Sequence, residues 1–70
     1  MQGTVKVYDP KTGVGVIIRD GDEREVYLRP GSLDGSMFRM LRMGQRVLFD
    51  EEEEAGTLVA RDLRFGSDGY

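Results

Sequence analysis

Residues 2–18 read Gln2-Gly3-Thr4-Val5-Lys6-Val7-Tyr8-Asp9-Pro10-Lys11-Thr12-Gly13-Val14-Gly15-Val16-Ile17-Ile18. Val5 and Val7 alternate with Thr4, Lys6 and Tyr8, which is the period of a half-buried strand over residues 2–8. The stretch Asp9-Pro10-Lys11-Thr12-Gly13 is a turn, with proline presetting φ and glycine closing it. Residues 14–18 are β-branched apart from Gly15 and form a second strand. A glycine inside a strand marks a bulge, a bend or a close backbone approach.

Further along, Asp20-Gly21-Asp22 is a second turn signal. Residues 25–28 alternate again, and Pro30 ends that third strand because proline cannot sit inside a central ladder. Residues 31–44 are irregular and contain three glycines. Residues 46–50 are a fourth strand with Val47 and Phe49 facing one way. Residues 51–56 read as a charged loop, and residues 57–65 as a fifth strand marked by Leu58, Ala60, Leu63 and Phe65. Five short strands with turns dense in Gly, Asp and Pro predict an all-β domain over residues 1–66, with a polar tail over residues 67–70. So little chain favours closure into a barrel, which leaves fewer raw edges.

Composition excludes several chemistries. Seventy residues allow one domain, and the absence of cysteine and histidine removes disulfides, Cys/His zinc sites, thiol catalysis and imidazole triads. No carboxylate pair or activated nucleophile is marked out, so no enzymatic activity, metal or cofactor is expected. No apolar run is long enough to span a membrane and no signal segment opens the chain, so the expected location is cytoplasmic. Ten basic residues against thirteen acidic give a net charge of −3. The acids are clumped, five of them in an unbroken run at residues 50–54, while eight of the ten cations are arginines spread along the chain. Binding follows the local field rather than the sum, so this balance does not exclude a polyanion. The run at 50–54 reads as a solvated loop that repels its neighbours and discourages edge-to-edge association. The glycines at 13 and 15 lack the helix a phosphate loop needs. The acidic turn at 20–25 is too short for a calcium loop.

The ordered set of motifs resembles the bacterial cold-shock domain, a five-stranded antiparallel barrel of the oligonucleotide-binding type. Gly3-Thr4-Val5-Lys6-Val7-Tyr8-Asp9 is similar to the family's Gly-x-Val-Lys-Trp-Phe-Asn. Thr12-Gly13-Val14-Gly15-Val16-Ile17 resembles Lys-Gly-Phe-Gly-Phe-Ile, and Val26-Tyr27-Leu28-Arg29-Pro30 resembles Val-Phe-Val-His-Phe. Phe38, Leu41 and Gly44-Gln45-Arg46-Val47-Leu48-Phe49 follow the family's next motif, and Ala60-Arg61-Asp62-Leu63 its last. The resemblance implies binding of single-stranded RNA or DNA through rings standing on the outer face of strands one to three. Carried onto this chain, it implies that Tyr8, Tyr27 and Phe38 stack bases while Lys6, Lys11 and Arg29 hold phosphate.

The departures are specific. Val7 stands in place of tryptophan, Val14 and Val16 in place of two phenylalanines, Pro30 in place of another ring and Arg29 in place of histidine. A stacked base contributes about 1–3 kcal/mol, so losing four rings implies much weaker stacking. The expectation is a binder that relies more on charge, with a steep salt dependence. The alternative is a barrel repurposed for protein interaction or self-association, through the valine-rich face and Met37, Met40 and Met43, which recur every third residue.

Overall fold

The computed structural model describes residues 1–31, 33, 38 and 40–66. Five strands, β1 (Gln2–Tyr8), β2 (Gly15–Arg19), β3 (Glu25–Leu28), β4 (Arg46–Glu54) and β5 (Thr57–Phe65), close into a barrel in the order β1-β2-β3-β5-β4. Four seams are antiparallel and the β3–β5 seam is parallel. This is the five-stranded barrel expected from the sequence, antiparallel at every seam but one, because strand direction cannot alternate all the way round a ring of five. That parallel seam registers through one residue pair, Tyr27 with Val59. The described residues contain no helix long and apolar enough to cross a membrane.

Every strand sends residues inward. Val5, Ile17, Val26, Leu28, Val47, Phe49, Val59, Ala60 and Leu63 are buried, with Leu33, Phe38 and Leu41 closing one part of the core. Gly15 is fixed by space. A Cβ there would lie 2.6 Å from the Val7 carbonyl oxygen and 3.0 Å from Leu28 Cδ1, so any side chain would force β1 and β2 apart.

Two irregularities set the strand faces. Val5 pairs with Ile17 but Val7 pairs with Val16, so Lys6 is an extra residue in β1. This bulge breaks the period of two, leaving Val5 inside and turning Val7 outside. In the β4–β5 pair the register shifts between Leu48 and Asp50, opposite Asp62, which has φ 51°. Aspartate tolerates that left-handed conformation better than most residues.

The acidic run expected as a loop over residues 51–56 is instead strand as far as Glu54, followed by the two-residue turn Ala55-Gly56. Both turn residues have positive φ, 51° and 82°, which is the hairpin turn whose twist matches the flanking strands. Arginines make the charged strand tenable. Arg19 Nη1 donates to both oxygens of Glu51 at 2.8 Å, and Arg61 Nη2 donates to Glu54 at 2.6 Å. Arg61 Nε also lies 2.7 Å from Glu52, and Arg64 Nη2 donates to Asp50 at 3.3 Å. At the β2–β3 turn, Arg19 also binds Asp22, holding that carboxyl down to about 2, and the Arg46 guanidinium lowers Asp20.

Candidate nucleic-acid interface

Register assigns the outer face of β1–β3. Val7 pairs with Val16, and Val16 with Tyr27, so the three form one row across the three strands. Val7 is 45% exposed, Tyr27 39% and Val14, just before β2, 43%. β1 ends, β2 begins and β3 ends at the same end of the sheet, which places Lys11, Val14 and Arg29 together there. The β1–β2 turn is seated against the residues after β3: a Cβ on Gly13 would lie 3.3 Å from the Gly31 nitrogen. The result is an aliphatic strip with one ring and cations at its margins.

Two of the six expected site residues do not join this face. Tyr8 pairs with Gly15, and Gly15 with Leu28, which is buried, so Tyr8 belongs to the inward row and its half-buried ring packs against the core. Phe38 is 8% exposed and sits in the core, its ring centroid 4.8 Å from that of Phe65 at an interplanar angle of 58°. Its ring is used for packing, so it offers no open surface to a base. The expected convergence of two tyrosines on one outward patch is therefore reduced to Tyr27.

Lys6, Lys11, Tyr27 and Arg29 are all exposed. Two of these cations carry carboxylate partners that the sequence reading missed. Lys6 Nζ donates to Glu25 Oε2 at 3.1 Å, and the Tyr27 hydroxyl donates to Glu25 Oε1 at 3.1 Å. The Lys6 and Tyr27 bonds hold the Glu25 carboxyl below its ordinary value, and the Tyr27 phenol is raised by its bond to Glu25. At the other end Arg29 Nε lies 2.8 Å from Glu54 Oε1. No local pattern announces this pairing, because Arg29 and Glu54 meet only through the β3–β5 closure. The Lys11 ammonium has no carboxylate partner among the described residues. Neither has the guanidinium of Arg24, which lines a shallow cleft beside Tyr27 with Glu25, Gly56, Thr57 and Leu58. Arg24 is a cation the sequence reading did not single out, although its place in the turn just before β3 was visible.

No group of three or more metal-ligating side chains occurs among the described residues. Met40 and Met43 are exposed, whereas Met37 and the tail at 67–70 lie outside the described residues.

A closed five-stranded barrel with an open β1–β3 face is the form of an oligonucleotide-binding domain. The family model for the 'Cold-shock' DNA-binding domain matches residues 1–65, and the chain belongs to this family of nucleic-acid-binding domains. The chain is 31% identical over 62 residues to the cold shock-like protein CspA of Rickettsia bellii (strain RML369-C), covering 89% of each chain. It has the same identity and coverage with the cold shock-like protein CspA of Rickettsia typhi (strain ATCC VR-144 / Wilmington).

Proposed function

We propose that this domain binds single-stranded RNA or DNA along the β1–β3 face, more weakly than relatives with a full set of rings, and without catalysis. The observation that carries this reading is the in-register row Val7–Val16–Tyr27, exposed at Val7 and Tyr27 and half-buried at Val16, flanked by Lys6, Lys11 and Arg29. Tyr27 supplies one stacking surface of about 1–3 kcal/mol, and the valines supply apolar contact without a π-face. Three cations give a salt slope no steeper than about −2 on a single strand, which is the salt dependence this charge-led reading proposes. Fluorescence anisotropy with a labelled pyrimidine-rich oligonucleotide at low salt tests the proposal. Binding that Tyr27→Ala weakens at least fivefold supports it. No binding up to about 100 µM protein, the weak limit of sequence-independent association, rejects it.

A second reading rests on apolar exposure. Val7, Val14, Met40 and Met43 are exposed without an aromatic role, which suits a protein contact or self-association. Sedimentation velocity tests the self-association half of this reading, because a strict monomer at the highest soluble concentration removes it.

A further inference from the structure

Among the nine described cations, Lys6, Arg19, Arg29, Arg46, Arg61 and Arg64 sit in ion pairs. Most of these pairs lie away from the β1–β3 face and brace the strands. Lys6 and Arg29 differ, since both border the face and both are capped by a glutamate. Glu54 is the more specific cap. It comes from the far end of β4 and reaches the end of β3, placing one carboxylate oxygen on each of two guanidinia: Oε1 is 2.8 Å from Arg29 Nε and Oε2 is 2.6 Å from Arg61 Nη2. The two non-bridging oxygens of a phosphodiester have the same charge and the same bidentate appetite for arginine. Glu25 repeats the arrangement on the other side, one oxygen on Lys6 and one on the Tyr27 hydroxyl.

We propose that Glu54 and Glu25 act as internal stand-ins for phosphate, occupying the cations of the β1–β3 face and setting its low affinity for polyanions. The inference rests on the reading that this face binds nucleic acid, and it adds which residues hold that affinity down. Both pairs are solvent-exposed, with Arg29 54% and Lys6 57% accessible, so each is weak enough for an incoming phosphate to displace. Displacement has a cost. A freed carboxylate draws a counterion back from solution, cancelling part of the counterion release that drives phosphate binding.

Glu53 provides the control. It lies on the same strand, carries the same charge, and its carboxylate has no hydrogen-bond or ion-pair partner among the described residues. Oligonucleotide affinity and its salt slope are measured for wild type, Glu53→Gln, Glu54→Gln and Glu25→Gln, each checked for folding by circular dichroism. Glu54→Gln and Glu25→Gln should each bind about two- to fivefold more tightly than Glu53→Gln. Their salt slopes should steepen by up to about 0.7 for each cation released. Adding Arg29→Gln to Glu54→Gln should cancel the gain. If wild type binds and Tyr27→Ala weakens it, yet all three glutamine variants behave alike, the stand-in role is wrong and the binding face stands. If neither wild type nor any variant binds, the binding face falls, and this inference with it.

Discussion

Val7→Trp should convert the aliphatic strip toward a stacking platform. Val7 is 45% exposed and points away from the core because the Lys6 bulge turns it out, so a larger side chain enlarges the surface without overpacking. Its cross-strand partner Val16 and, one strand further, Tyr27 provide a floor on which an indole can lie. A base stacked on a new ring contributes about 1–3 kcal/mol, which is about a 5- to 150-fold gain in affinity. The chain contains no tryptophan, so the substitution also installs a single intrinsic reporter at the proposed contact. Titration with a pyrimidine-rich oligonucleotide should quench that fluorescence along the same isotherm as the anisotropy of the labelled strand. An affinity gain below twofold, or an indole emission unmoved at saturation, would show that the strand does not cross this row.

Three further outcomes test the structural reasoning. Ala55→Asn should raise stability by about 1 kcal/mol, because Ala55 holds φ 51° in a turn that favours asparagine; a thermal midpoint raised by about 4–8 °C is the measurement. Gly15→Ala should lower stability by about 1–3 kcal/mol, since its Cβ would lie 2.6 Å from the Val7 carbonyl oxygen; an unchanged melting curve contradicts the close approach of β1 and β2. The carboxyls of Asp20, Asp22 and Glu25 sit below their ordinary values of 3.8, 3.8 and 4.5, so their stabilising contribution is present above those values and is lost as pH falls through the folded ones. Denaturant midpoints should therefore hold from neutrality to about pH 5 and decline toward pH 2, and a flat profile across that window counts against these ion pairs.

Much of this was legible in the chain. Strand positions β1, β3 and β5 follow from alternation bounded by Pro, Gly and Asp, signals that operate over a few residues. What escaped depends on partners distant in sequence. A period-of-two reading puts Val5 and Val7 on one face, and only the register of β2 against β1 shows the bulge that separates them. The run at 50–54 looks like a solvated loop until Arg19, Arg61 and Arg64 are brought beside it. Tyr8 and Phe38 fall at positions that the family resemblance marks for binding, yet the inward row shared with Gly15 and Leu28 and the contact with Phe65 decide where their rings go. Lys6 and Arg29 were readable as cations of the face, but the carboxylates that cap them were not, because Glu25 and Glu54 reach them only after the barrel has closed.

The single parallel link between Tyr27 and Val59 joins positions 32 apart in the chain. Closing it costs more loop entropy than either neighbouring hairpin, and it registers through one pair where the β1–β4 seam has three, so it is a natural place for the barrel to part transiently. The residue at that joint is also the one ring exposed in the Val7–Val16–Tyr27 row. A strand gripping Tyr27 would then bind and latch the cylinder at once, and slowed amide exchange around Val59 would record occupancy from the opposite side of the seam.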